Sequence, residues 1–203
     1  MLESFRNLRL KLKPGRESRL LPIFQQGICV RTRLGLPLAR VLEEVGFTGT
    51  YLVEKVQTVF LDGSAVDNLD GAIVKGGSVI ALSAAMPGLA GAILRKGSPI
   101  SGLRSNTSAA AIHRSVADVV GTVRLKLFNR VAEEMGPQLL HKGILLKRSD
   151  FENFVAGRPG LLEKEVLEAQ LDSTPLSPAE LLGGKSIPSD YFVLKIVSLS
   201  SSD

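Results

Sequence analysis

Alternating apolar and charged residues indicate the first strand of the chain. The leucines at positions 8, 10 and 12 alternate with arginine and lysine, and Pro14-Gly15 follows them. A period of two is typical of a strand with one buried face, and the Pro-Gly pair predicts the turn that ends it. The same criteria predict strands over residues 23–33, 51–61, 79–82, 143–147, 166–171 and 191–199.

Helical periodicity appears first between Leu36 and Phe47. One apolar stripe contains Leu38, Val41, Leu42 and Val45, Pro37 suits a first helical turn, and Gly46 predicts the end of the helix. Further helices are predicted over residues 87–96, over 149–157 with Ser149 and Glu152 as a capping box, and from Ser177-Pro178-Ala179-Glu180 to Gly183-Gly184.

Residues 115–135 fit two patterns. Apolar residues recur every three or four positions, as on a helix, whereas Val123, Leu125 and Leu127 alternate with basic residues, as on a strand. We predict a helix because that match is the longer one, and Gly136-Pro137 should end it.

Strands and helices mix throughout, which predicts an α+β protein. The polar stretch 98–108 suggests a boundary, so we expect an N-terminal lobe over residues 1–97 and a smaller α+β lobe over 105–203. No repeat at a fixed period is visible.

Residues 56–91, VQTVFLDGSAVDNLDGAIVKGGSVIALSAAMPGLAG, resemble the second half of a ubiquitin-like sulfur-carrier protein. Asp62-Gly63 resembles the family's first tight turn, Leu69-Asp70 its middle, and Gly76-Gly77 with the strand after it the end. Residues 36–47 resemble its single helix, and 28–33 an earlier strand. The resemblance covers about residues 20–91 and implies a β-grasp-like N-terminal lobe.

The chemistry of that family does not carry over. Sulfur carriers end in Gly-Gly, whose terminal carboxylate is adenylated and then converted to a thiocarboxylate. Here the corresponding residues 86–91 read MPGLAG, and the chain continues to residue 203. Gly183-Gly184 is also followed by further residues. We therefore take from the resemblance a fold used as a binding platform.

Composition limits the chemistry. The 203 residues are 44% hydrophobic and 22% charged, which is ordinary for a globular protein, and include one cysteine and two histidines. Cys29 has no partner for an internal disulfide. Asp62, Asp67 and Asp70 lie close together, but their spacing is not that of an EF-hand and aspartate is common in turns. We expect no metal and no cofactor.

Charge is spread unevenly along the chain. Residues 1–40 hold nine Lys/Arg and two Asp/Glu, whereas residues 151–203 hold four and eight. This favours either self-complementary packing or a basic surface that faces an anion. A nucleic-acid contact would use a ridge of cations in the N-terminal strands. Its residues would be Arg6, Arg9, Lys11, Lys13, Arg31 and Arg33.

Two further sets of residues are candidates for chemistry. Ser105, Ser108, His113 and Arg114 would form an enzyme site at the junction of the lobes, with the histidine as base. Glycines before a predicted helix, with cations at its end, would bind an anion through backbone amides. These residues are Gly88, Gly91, Arg95 and Lys96.

The stretch from Gly76 to Leu94 has 19 uncharged residues, which is close to the length of a membrane-spanning helix. Four glycines and Pro87 favour a buried strand and a short helix instead, so we expect no membrane insertion. The first 16 residues contain no continuous apolar region, which predicts no signal peptide and, with the single cysteine, a cytoplasmic protein. We expect a non-catalytic binding module whose partner is another protein or a second copy of itself, rather than a small molecule.

Overall fold

The computed structural model describes residues 5–84, 95, 97, 119–158, 160–177, 180–181, 187 and 189–197. The protein is a mixed α+β protein. Its described strands are β1 (Arg6–Leu12), β2 (Ile28–Arg33), β3 (Thr58–Leu61), β4 (Ser64–Ala65), β5 (Val79–Ser83), β6 (Val120–Phe128), β7 (Ile144–Lys147), β8 (Val166–Leu171), β9 (Thr174–Leu176) and β10 (Tyr191–Val197). Its described helices are α1 (Ile23–Gln26), α2 (Leu38–Val45), α3 (Gly49–Glu54), α4 (Asn129–Lys142), α5 (Arg148–Ala156) and α6 (Leu161–Glu165).

The chain forms two compact units. Unit 1 contains Met1–Cys29 and Glu133–Asp203, and unit 2 contains Val30–Ala132. The chain passes from one unit to the other within β2 and returns within α4. This division differs from the predicted lobes because β1 pairs with β8 and β10, which belong to the C-terminal part of the sequence.

In unit 1 the strand order is β7-β10-β1-β8-β9. β1 pairs parallel to β10 and antiparallel to β8, and the β8–β9 hairpin is antiparallel. The alternation of β1 buries Leu8, Leu10 and Leu12, as its sequence predicts. The ring of Phe192 on β10 meets Phe151 of α5 edge to face, with 5.4 Å between the ring centroids.

In unit 2 the strand order is β4-β3-β5-β6-β2. β5 pairs antiparallel to β3 and parallel to β6. Helix α2 buries Leu38, Val41 and Leu42, and Ile80 and Leu82 of β5 are buried as well. The helix ends where predicted, at Gly46 with φ 120°, a conformation that glycine adopts without strain.

The two units repeat one series of elements. In unit 2 strand β2 is followed by α2, α3 and the β3–β4 hairpin, and in unit 1 strand β7 is followed by α5, α6 and the β8–β9 hairpin. Each hairpin turn begins with a left-handed aspartate, Asp62 at φ 52° and Asp172 at φ 54°. Each aspartate donates its amide to a carbonyl of the neighbouring strand and accepts that residue's amide on its carboxylate, with Val79 and Asn7 as the respective partners.

Several predicted strands contain helix instead. Residues 23–26 form α1, so the strand predicted over 23–33 begins only at Ile28. The strand predicted over 51–61 begins at Thr58, because the Oγ1 of Thr48 accepts the amide of Tyr51 and caps α3. β-Branched and aromatic residues favour strands, but here the cap decides the local structure.

The helix predicted over residues 115–135 is wrong for residues 120–128, which form β6. Its alternating Val123, Leu125 and Leu127 are buried, and the strand pairs with β5. The predicted end at Gly136-Pro137 is also wrong, since α4 runs through both residues. A Cβ on Gly136 would lie 2.5 Å from Leu21 Cδ2, so this glycine permits close packing.

Two predicted helix starts have different outcomes. The capping box of Ser149 and Glu152 is wrong, because α5 begins at Arg148 without a side-chain cap. Ser177 and Glu180 do form a reciprocal pair: the serine hydroxyl and amide donate to the carboxylate at 2.7 Å, and the amide of Glu180 donates to the hydroxyl at 3.3 Å. These serine donors lower the pKa of Glu180 below its ordinary value.

Among the described residues, no helix has the length and apolar character needed to cross a membrane. The helix predicted over residues 87–96 lies outside the described residues except at Arg95.

Candidate functional site

One face of the unit 2 sheet carries a cavity. The pleat places Ile80 and Leu82 of β5 in the core, so Val79, Ala81 and Ser83 project from the opposite face. The register sets Phe60 of β3 beside Ala81, and Phe128 of β6 beside Ser83. Neighbouring strands thus bring two aromatic rings to the same face from distant parts of the chain.

The cavity has a volume of about 440 Å³. Its walls are mainly apolar and are formed by Phe60, Val79, Ala81 and Phe128. Ligand pockets in proteins commonly measure about 300–1,000 Å³ and have apolar walls with a few polar groups. The volume therefore suits a small organic molecule.

A polar pair lies at one end of this cavity. The Nδ2 of Asn129 donates to the Oγ of Ser83 at 3.2 Å, and both residues line the space. Asn129 has φ 52°, a left-handed conformation that asparagine tolerates better than most residues. The junction between β6 and α4 therefore holds an amide against the end of β5.

Thr58 adds an unusual buried hydroxyl on the same face. Its side chain is fully buried, it is the register partner of Ser83, and its Oγ1 has no hydrogen-bond partner among the described residues. An unpaired buried hydroxyl costs about 1–3 kcal/mol of stability in protein mutational data. Thr58 itself does not line the cavity, whereas its register partner Ser83 does. The apolar walls can hold an apolar body, and Ser83 and Asn129 can exchange hydrogen bonds with its polar end.

Seven of the fourteen residues predicted as sites lie outside the described residues. This applies to the candidate enzyme site and to most of the candidate anion site, namely Ser105, Ser108, His113, Arg114, Gly88, Gly91 and Lys96. Arg95 is described and is exposed. Both hypotheses stay predictions.

Two of the three aspartates considered for metal binding, Asp62 and Asp67, accept backbone amides on their carboxylates. Asp62 accepts the hydroxyl of Ser78 at 2.9 Å and the amide of Val79 at 2.7 Å, and Asp67 accepts the amide of Gly97 at 3.1 Å. No cluster of three potential metal ligands occurs within the described part of the chain. Cys29 is a buried residue of β2 that packs with apolar side chains.

The predicted basic ridge is partly neutralised within unit 1. Arg6 forms an ion pair with Asp172, and Lys11 with Glu168 at 2.8 Å, so the basic β1 lies against the more acidic β8. This is the self-complementary packing that the charge distribution allowed. Arg31 and Arg33 belong to unit 2. The nucleic-acid contact stays a prediction.

Asp172 gives this packing a dependence on pH. The amide of Asn7 and the guanidinium of Arg6 lower the pKa of Asp172 from its ordinary value of 3.8. A lowered folded pKa means that the stabilisation is present above pH 3.8 and is lost as the pH falls through the folded pKa.

We expect Asp172→Asn to lower the free energy of unfolding by at most about 1 kcal/mol near neutral pH, because the ion pair is exposed and screened. Asparagine still accepts the amide of Asn7 and tolerates the left-handed turn. Urea titrations across the acid range measure the difference from wild type, which should shrink below pH 3.8. A difference independent of pH contradicts the argument.

Sequence reasoning missed Phe60, Phe128 and Asn129 as site residues. Phe128 and Asn129 follow the segment predicted as helix, and only the strand register brings them to β5. The alternation of apolar and basic residues up to Phe128 could have predicted this strand.

No family model matches this chain, and neither a curated protein nor a solved structure matches it.

Proposed function

We propose that this protein is a non-catalytic binding module that takes a small, mainly apolar organic ligand on the open face of the unit 2 sheet. The observation that carries the proposal is the apolar 440 Å³ cavity with the polar pair Ser83 and Asn129 at one end. The buried hydroxyl of Thr58, which has no hydrogen-bond partner among the described residues, lies beside Ser83 on the same face of the sheet. The apolar body would lie against Phe60 and Phe128, with a polar group toward Ser83 and Asn129.

The proposal includes a β-grasp-like platform in unit 2. Its support is that helix α2, the Asp62-Gly63 turn and strand β5 lie within the stretch of sequence on which the resemblance is based. A cytoplasmic location is part of the same proposal and rests on the single cysteine. A protein partner or a second copy remains the competing occupant.

Filling the cavity should abolish binding of an apolar probe. Ala81 projects into the cavity, so Ala81→Leu places three more carbon atoms in the space. We expect the affinity for the neutral dye Nile red, measured by fluorescence titration, to fall at least about tenfold, or about 1.4 kcal/mol. Thermal unfolding of the variant shows whether the fold is retained.

The matched control is Ala156→Leu, the same change at an exposed helical position in unit 1. It should leave dye binding unchanged. Equal affinities of wild type and Ala81→Leu contradict the cavity as the binding site. Native mass spectrometry then separates the alternatives: a stable dimer that Ala81→Leu disrupts would assign this face to a second copy instead of a small ligand.

A further inference from the structure

A second cavity, of about 430 Å³, lies in unit 1. It is formed by the loop after β1 and by the segment that leads through α6. Three cations line it, Arg19, Arg158 and Lys164, together with the hydroxyl-bearing Ser18. We call it the basic cleft.

The cations of the basic cleft outnumber its carboxylates. Glu165 is the acidic residue among the lining, and its Oε2 lies 3.3 Å from the Nε of Arg16, a residue outside the lining. Its charge is therefore engaged by a fourth cation. Within the described part of the chain, no carboxylate forms an ion pair with Arg19 or Lys164. The cleft keeps a positive potential that attracts anions.

Two of these cations are held in place without a ligand. The guanidinium carbon of Arg158 lies 4.2 Å from the ring centroid of Phe154, and its Nη1 donates to the carbonyl of Phe154 at 3.1 Å. The stem of Lys164 folds over Gly160, where an added Cβ would lie 3.2 Å from Cε. Side chains ordered beforehand lose less entropy when an anion binds.

We propose that the basic cleft binds a phosphomonoester, with the phosphoryl group between Arg19, Arg158 and Lys164. A dianion matches the excess of cations better than a carboxylate does, and arginine donates to phosphate oxygens with favourable geometry. Pro22 and Leu161 give the cleft an apolar wall. The ligand therefore carries an apolar or aromatic body next to its phosphate. This site is separate from the cavity of unit 2 and does not depend on the function proposed there.

Calorimetric titration with phenyl phosphate tests the proposal on the full chain. Lys164→Gln removes one exposed cation and should weaken binding about fivefold, and a second change, Arg19→Gln, should weaken it by a similar factor again. Both side chains are exposed, so the fold should persist. Lys55→Gln, at an exposed lysine of unit 2, is the control and should bind as wild type does.

Three comparison ligands decide the chemistry. Phenyl phosphate should bind more tightly than inorganic phosphate, because of the apolar wall, and more tightly than phenylacetate, because of the second negative charge. Equal binding of phenylacetate overturns the phosphate assignment. Absence of binding by wild type, or equal binding by Lys164→Gln, overturns the site. Tighter binding of a single-stranded oligonucleotide that Lys164→Gln weakens would assign the cleft to nucleic acid and overturn the phosphomonoester.

Discussion

Phe192→Ala should lower the free energy of unfolding by about 3–5 kcal/mol, which is the range for truncating a fully buried phenylalanine. Phe192 is 0% exposed, and its ring packs edge to face on Phe151 at an interplanar angle of 79°. The change removes apolar contacts from both the sheet and α5, and the cavity left behind adds to the loss. Equilibrium urea unfolding measures the effect.

The neighbouring residue provides the control. Tyr191 is next to Phe192 on β10, is 36% exposed and projects from the opposite face of the strand. Tyr191→Ala removes a ring of similar size but should cost about 1 kcal/mol or less. Similar losses for the two variants would contradict the assignment of the core face of β10.

Two predictions that combine a period with a matching end signal are confirmed, whereas the helix predicted over residues 115–135 with its end at Gly136-Pro137 is not. Helix α2 combines an apolar stripe with Gly46, and β1 combines alternation with Pro14-Gly15. The Asp62-Gly63 turn is confirmed as well, since both residues have positive φ. These features are local: a few consecutive residues determine them, and no distant contact is needed.

Strand neighbours could not be predicted in the same way. Residues 8–12 read LRLKL and residues 123–127 read VRLKL, and both are strands with the same buried positions. Yet β1 lies between β10 and β8, whereas β6 lies between β5 and β2. A pattern of period two specifies the buried face of a strand but not which strand pairs with it. The division into lobes depended on that missing information.

The repeated series of elements in the two units was also not detected in the sequence, and the reason is physical. The two aspartate turns are 110 positions apart, at Asp62 and Asp172, whereas the glycines before β2 and β7, Gly27 and Gly143, are 116 apart. Insertions between the elements change the spacing, so no fixed period exists. Both units have a left-handed aspartate in the hairpin turn, and its carboxylate accepts a backbone amide of a neighbouring strand in the sheet.

The cavity of unit 2 could not be predicted from the sequence, because the register of paired strands brings together residues that are distant along the chain. Phe60 and Phe128 are ordinary strand residues when considered separately, and Thr58 has nothing in its neighbours to indicate a buried hydroxyl. The basic cleft was not predicted, since none of the cations named for an anion contact lines it, although Arg19 on its first side belongs to the same basic N-terminal segment. Its second side, with Arg158 and Lys164, required the fold.

Thr58→Val should raise the free energy of unfolding by about 1–3 kcal/mol, because valine keeps the shape of threonine and removes a buried hydroxyl that has no partner in the described part of the chain. Thr32→Val is the matched comparison. Thr32 is also 0% exposed and lies in unit 2, but its Oγ1 donates to the Oε2 of Glu44 at 3.1 Å. Losing that bond should lower the free energy of unfolding by about 1–2 kcal/mol. Urea unfolding of both variants tests the opposite signs.

The same pair of variants connects stability to binding. If a ligand's polar atom pairs with Thr58, Thr58→Val should weaken ligand binding while it stabilises the free protein, whereas Thr32→Val should leave binding unchanged. A buried group that is costly in the free protein and useful in the complex is typical of a binding site, because the ligand supplies the missing hydrogen bond. Destabilisation by Thr58→Val would mean that the hydroxyl already has a partner, and Thr58 would lend no support to a ligand at this face.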